Sequence, residues 1–166
     1  MSTTEQAVAA AGTALPDVIT GHIGGESVPV DAGATRHNVY FPGTGELVAS
    51  LQEDDASTVA AAVSTARASF ERGAWSHVST ATRQTVFRNA AQLIRDHAEE
   101  LAVLECVCAG LPSSHLALRQ VPRAADNLDF FADYIGVMAG ETFEQLPGYQ
   151  TVVTRQPAGV AALFAP

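Results

Sequence analysis

The chain has 166 residues, enough for one domain with its own hydrophobic core. It is 47% hydrophobic and 16% charged, which is the composition of a globular chain rather than a disordered one. Its 18 acidic residues outnumber 9 basic ones, all arginine, and the net charge of −9 argues against nucleic acid or an anionic membrane as partner.

Cys106 and Cys108 lie two apart in an apolar helical run and face different sides of it, so they are poorly placed to bridge. That spacing points to a reducing, cytoplasmic setting. The N-terminus has no basic region followed by an apolar stretch, so no secretory signal is read there. No run approaches the roughly 18 apolar residues of a membrane span.

Residues 1–16 are small and polar without a period, and read as a flexible tail. Val18 to Ile23 and Ser27 to Val30 flank Gly24-Gly25, which suits a tight hairpin turn. Arg36 to Phe41 and Glu46 to Leu51 flank Pro42-Gly43-Thr44-Gly45, a second hairpin. At Asp54-Asp55 the period becomes helical: Val59, Val63, Ala66 and Phe70 form a stripe that ends at Gly73. A second helix starts near Ser79 or Thr80 and carries Val86, Phe87, Ala90, Leu93, Ile94 and His97 on one side. Asp96, with Glu99 three residues on, reads as the cap of a third helix, which stops at Gly110-Leu111-Pro112. The fourth has Val121, Ala124, Leu128, Phe131, Ile135 and Met138 in steps of three and four; Pro122 kinks it or marks its start, and Gly140 ends it.

Thr142-Phe143-Glu144 leads through Pro147-Gly148 to an amphipathic strand at Thr151 to Gln156. After a Pro157-Ala158-Gly159 turn, Val160 to Phe164 is an uncharged run of the kind found in buried parallel strands. Ala165-Pro166 stands where such a strand passes into a loop, the place where nucleotide-binding α/β folds put ligands.

No Gly-x-Gly-x-x-Gly and no phosphate-loop lysine occurs. The five histidines have no ligand spacing, and no metal site is read from them. Cys106 and Cys108 lie late in their helix, where the dipole disfavours a thiolate, so neither is read as a nucleophile. Glu99, Glu100 and Glu105 read as a solvated helix face. Arg119 and Arg123 are four apart on the fourth helix, with Asn127 a further four on. They either pair with Asp126 or Asp129 in a solvated stripe or face an anion, since an arginine fork matches a carboxylate.

Several stretches in register resemble one family. Pro42-Gly43-Thr44-Gly45-Glu46 is followed by a strand, then by an Asp-led helix ending Phe70-Glu71-Arg72-Gly73-Ala74-Trp75. Arg83 through Ile94, Ala98-Glu99-Glu100-Leu101-Ala102, Leu104-Glu105, Gly110-Leu111-Pro112 and Gly140-Glu141-Thr142 continue it. Thr154-Arg155-Gln156-Pro157-Ala158-Gly159-Val160 and Phe164-Ala165-Pro166 complete it. From about Ile19 to Pro166 the chain resembles the N-terminal part of the aldehyde dehydrogenase superfamily. Gly110-Leu111-Pro112 and Pro122 through Phe131 are most similar to the branch that oxidises hydroxymuconic-type semialdehydes.

The resemblance implies an incomplete α/β fold: β-hairpins, four helices, an oligomerisation-arm strand, then the first strand of a Rossmann-like sheet. The implied divisions are a cofactor-domain part over 17–141, the arm over 142–157, and the start of the sheet over 158–166. It implies an enzyme that oxidises an aldehyde with NAD or NADP through a cysteine thioester, and that assembles as a homo-oligomer. The positions of Phe164, Ala165 and Pro166 would border the adenosine half of the cofactor. Arg119 and Arg123 would border the substrate tunnel, where an acidic semialdehyde could meet Arg123.

The family's Trp-Asn after Pro166, its cofactor lysine, glycine-rich turn, general-base glutamate and nucleophilic cysteine are not in this sequence. Cys108 stands where the family often has an acidic residue linked to a structural monovalent cation, so the resemblance does not carry that site over. The expectation is therefore the N-terminal third of such an enzyme, as a truncated product or an incomplete record, inactive alone. The alternative is a non-catalytic interaction module that pairs with full-length subunits through the Tyr149 to Gln156 edge.

Overall fold

The computed structural model describes residues 15–164. The expected tail over 1–16 lies almost entirely outside those residues, as do Ala165 and Pro166. In order the elements are β1 (Val18–Ile19), β2 (His22–Ile23), β3 (Glu26–Ser27), β4 (Arg36–Tyr40) and β5 (Leu47–Gln52). There follow α1 (Ala56–Glu71), α2 (Thr80–Asp96), α3 (Ala98–Ala109), the single turn α4 (Ser113–His115), a π-helical turn (Leu116–Gln120) and α5 (Val121–Val137). A closing hairpin is made by β6 (Glu141–Leu146) and β7 (Tyr149–Val153).

Three small sheets result, ordered β1-β5-β4, β2-β3 and β6-β7. The second expected hairpin is present: β4 runs antiparallel to β5 from Arg36↔Gln52 to Tyr40↔Leu47, with a bulge between Val39 and Tyr40. The first differs from expectation. Only His22–Ile23 and Glu26–Ser27 pair across Gly24-Gly25, whose φ values of 65° and 96° need glycine. Val18 and Ile19 instead run parallel to Ser50 and Leu51 of β5. They take the edge of β5 not used by β4 and become a third strand of that sheet.

Gln52 is the buried polar anchor of this sheet. Its side-chain oxygen accepts from the Asp31 amide at 2.7 Å and its amide donates to the Pro29 carbonyl at 3.2 Å. Phe41 and Val107, 5% and 0% exposed, bring the β4-β5 ribbon onto α3. Gly110 permits this closeness. It ends α3 at φ 73°, and a Cβ there would lie 3.0 Å from the Pro42 side chain.

Helix starts follow the sequence where a short polar side chain is available. Asp55 caps α1, accepting from the Thr58 amide at 2.7 Å, and Ser79 caps α2, accepting from the Thr82 amide at 3.1 Å. The expected Asp96 cap of α3 is not formed. Asp96 is the last residue of α2 and accepts from Gln92, while His97 occupies the joint without a side-chain cap. An i,i+4 partner on its own helix satisfies the carboxylate, so it does not turn to the next one.

Pro122 stands in the first turn of α5, one of the two expected outcomes, although the helical path reaches it from further upstream. Helix begins upstream at Ser113 and passes through the π-turn, in which the Val121 amide donates to the Leu116 carbonyl. Proline lacks the amide that an α-turn would need at 122, and the wider turn before it absorbs the mismatch.

The helical pair α2 and α5 is the best-packed part. Gln84 donates to the Ala132 carbonyl at 2.9 Å, Arg88 meets Asp133 at 2.7 Å, and Arg95 meets Asp129 at 2.7 Å. From Gln84 and Arg88 to Arg95, the partners on α5 pass from Ala132 and Asp133 back to Asp129 and Asp126, so the pair is antiparallel. Ala91, Ala125 and Ala132 are fully buried along the seam, and small side chains let the backbones approach. A second cluster joins Ala102, Leu116 and Val121 with Ile94 and Ala98 around the π-turn.

Elsewhere apolar faces are open. No residue of α1 is buried, and Val59 and Val63 of the expected core stripe are each 53% exposed. Residues 154–164 form no strand. The expected sheet strand over 158–166 thus has no ladder partner among the described residues, and an extended run without a partner is not a strand. Among the described residues no helix is long and apolar enough to cross a membrane, and no cluster of three His, Cys, Asp or Glu could hold a metal.

Candidate functional site

The expected substrate-facing arginines lie at the π-turn and the first turn of α5. Arg119 and Arg123 are both exposed, and neither has an ion-pair or hydrogen-bond partner among the described residues. Of the two readings open at the sequence, pairing with Asp126 or Asp129 is not formed. Both carboxylates face α2 and are held by one terminal nitrogen of Arg95, at 3.0 Å and 2.7 Å. The residues between the two arginines, Gln120 and Val121, line an open apolar groove of about 560 Å³ together with Ile94, Leu101 and Leu116. Neither guanidinium lines it, so groove and cations share a segment without sharing a wall.

The expected cofactor-bordering residues are only partly described. Phe164 is 96% exposed at the end of the unpaired 154–164 segment, beside Leu163 at 94%. Ala165 and Pro166 lie outside the described residues. The structure does not bring Phe164 together with Arg119 or Arg123.

The two cysteines sit in different surroundings. Cys106 packs against the cluster around Leu116, and Cys108 is exposed near the end of α3. Partial burial, then the charge of Glu105, raises the Cys108 thiol above its ordinary value. A thiol pushed up is mostly protonated at neutral pH and is a poor nucleophile.

A second concave region joins residues far apart in sequence. A cleft of about 580 Å³ lies between the end of α1, the start of α2 and the segment leaving β7. Trp75 forms one wall, with its ring stacked on Phe87 at 6.1 Å and the Arg83 guanidinium 5.9 Å above it. Arg83 donates to the Ser76 carbonyl at 2.9 Å, and its Nε is shut off from solvent without an acceptor. Arg155 and Gln156 form the facing wall. Arg83 and Arg155 are 72 positions apart, and nothing in their spacing announces that they meet; Trp75 followed by Arg83 at a helix start is the one local hint.

The sequence model of the aldehyde dehydrogenase family matches residues 30–166. A putative aldehyde dehydrogenase of Bacillus subtilis, DhaS, is 31% identical over 145 residues, 87% of this chain and 29% of that protein. The 5-carboxymethyl-2-hydroxymuconate semialdehyde dehydrogenase of Escherichia coli is 32% identical over 136 residues, 78% of this chain and 28% of that protein. The solved indole-3-acetaldehyde dehydrogenase of P. syringae, crystallised with NAD+, superposes with a TM-score of 0.81 at 29% identity, over 94% of this chain and 30% of that one.

The chain belongs to the aldehyde dehydrogenase family. Its fold is the N-terminal part of that α/β architecture, and it spans less than a third of the length of these two curated relatives.

Proposed function

We propose that the protein to which this chain belongs oxidises an acidic semialdehyde to the dicarboxylate, using NAD or NADP. The balance is aldehyde plus water plus oxidised cofactor, giving acid, reduced cofactor and a proton. When bound, the nicotinamide accepts the hydride. The observation that carries the substrate class is the electrostatic layout of α5. Arg95 takes up both nearby aspartates, and this leaves the exposed Arg123 and Arg119 guanidiniums free for an external carboxylate. The likeness to a hydroxymuconate semialdehyde dehydrogenase supports the same class.

Phe164, with Ala165 and Pro166, is proposed to border the cofactor. The run from Val160 to Phe164 carries no charge and has no strand partner among the described residues, so it suits a ligand-bordering strand that needs neighbours. Residues 17–141 are assigned to the cofactor domain, 142–157 to an oligomerisation arm, and the enzyme to a cytoplasmic homo-oligomer. Neither Cys106 nor Cys108 supplies the nucleophile, and the 166-residue chain alone is proposed to be inactive.

Two measurements test this. In the whole enzyme Arg123→Met should raise KM for an acidic semialdehyde about tenfold or more, the worth of a charged hydrogen bond. A neutral aldehyde of equal length should be unaffected; an equal loss for both would reject the substrate class. Purified as 166 residues, the chain should form no NADH or NADPH with either aldehyde.

A second reading rests on the closing hairpin. Leu146, Tyr149 and Val152 are 62%, 71% and 62% exposed on a two-stranded ribbon with open edges. In that reading the chain is an interaction module that adds its edge to a full-length subunit. Co-purification of the tagged chain with full-length enzyme, lost on Val152→Pro, would favour it.

A further inference from the structure

We propose that the cleft carrying Trp75, Arg83 and Arg155 is a binding site for a small carboxylate with an apolar body. Acidic residues outnumber basic ones two to one in this chain, yet two arginines and no acidic residue line this cleft. A third, Arg67, stands at the rim beside Gly159, since a Cβ on Gly159 would lie 3.9 Å from its Nη1. Charges facing these groups are few. Arg67 is satisfied by Glu71 at 2.8 Å, and Arg155 is only loosely matched by Glu141 at 3.8 Å, beyond hydrogen-bond length. Arg83 has no acidic partner among the described residues.

The cleft also holds an unsatisfied donor. The Ser76 carbonyl and the Trp75 face fix the Arg83 guanidinium, and its buried Nε finds no acceptor. Leaving such a donor unpaired is costly, and the other terminal nitrogen of Arg83 also has no partner among the described residues, so this guanidinium has donor capacity left for an incoming acceptor. A carboxylate matches an arginine fork, and the Arg155 terminal nitrogens and the Gln156 amide supply further donors across the cleft. Trp75, Phe70 and Pro157 give the remaining wall an apolar character, so a bare inorganic anion would leave it uncovered. The site uses neither Arg119 nor Arg123, and it stands or falls independently of the substrate assigned to them.

Trp75 is the only tryptophan and lines the cleft, so its fluorescence reports directly on occupancy. The 166-residue chain would be titrated with benzoate, benzyl alcohol and inorganic phosphate at one ionic strength. The expected result is a saturable change with benzoate, at least tenfold weaker with the other two. Arg155→Gln, a change at an exposed side chain, should weaken benzoate about tenfold while circular dichroism is unchanged. Arg155→Lys, which keeps charge without the fork, should fall between. No saturable change with benzoate, an equal response to benzyl alcohol, tighter binding of phosphate, or unaltered affinity in Arg155→Gln would each overturn the proposal.

Discussion

Arg95 of α2 holds Asp129 of α5 at 2.7 Å, and the same terminal nitrogen reaches Asp126 one turn earlier at 3.0 Å. This clamp closes one end of the alanine seam, while Gln84 and Arg88 hold the other. Because the groups are solvent-facing, the clamp is expected to fix register more than to stabilise. Arg95→Met should lower the thermal midpoint by only a few degrees, and the deficit should shrink as salt is raised from low to molar concentration. A deficit independent of salt would mean that packing of the arginine stem, not charge, is what is lost.

The seam itself should be far less forgiving. Ala125 is fully buried between α2 and α5. Ala125→Leu forces the helices apart, at a cost of about 1–3 kcal/mol for overpacking. Leu116→Ala, at 1% exposure beside the π-turn, should cost about 2–5 kcal/mol. Urea unfolding followed by circular dichroism measures both.

Gly110 is a backbone position rather than a side-chain one. Gly110→Ala meets both the positive φ and the Pro42 contact, and should destabilise by about 1–3 kcal/mol. Adding Pro42→Ala should recover the steric part only, and the double-mutant cycle separates the two.

Asp55 makes α1 sensitive to acid. The Thr58 amide, then the Ser57 and Thr58 hydroxyls, lower its carboxyl from 3.8 to about 2. A folded value below the unfolded one means that the unfolded chain binds the proton first. The stabilisation is therefore complete above about pH 4 and is lost as pH falls toward 2. Asp55→Asn keeps a cap without the charge. The difference in midpoint between the two proteins should be constant near neutrality and vanish across this window; a difference that persists at pH 2 would contradict it.

Cys108 should be sluggish despite its exposure. Its alkylation by iodoacetamide at neutral pH should be slower than that of a free cysteine peptide, and Glu105→Gln should speed it, since that charge helps raise the thiol. Faster alkylation than the peptide would reopen the case for a nucleophile.

Local chemistry made much of the fold legible in the sequence. Asp55, Ser79 and Gly110 each mark a helix end through a bond or angle that only neighbours determine. The β4-β5 hairpin likewise follows from its own turn residues. What stayed hidden depends on distance. Val18 and Ile19 leave the nearby strand for an edge more than 30 residues away. Asp96 is captured by its own helix, and Pro122 marks the start of α5 without revealing the π-turn that leads into it. At the candidate sites, the arginine pair on α5 is visible from spacing, but its freedom depends on Arg95 coming from another helix. The meeting of Arg83 with Arg155 has no local signature at all.

The closing hairpin implies an uneven internal clock. A two-stranded ribbon with only Thr151 partly shielded has little apolar burial to hold its ladder closed. In the isolated chain, amide hydrogens of β6 and β7 should exchange with solvent soonest, and those of α2 and α5 beside the alanine seam last. Whatever covers the ribbon in a larger assembly would then register first as a slowing of exchange there, before any change in the helices.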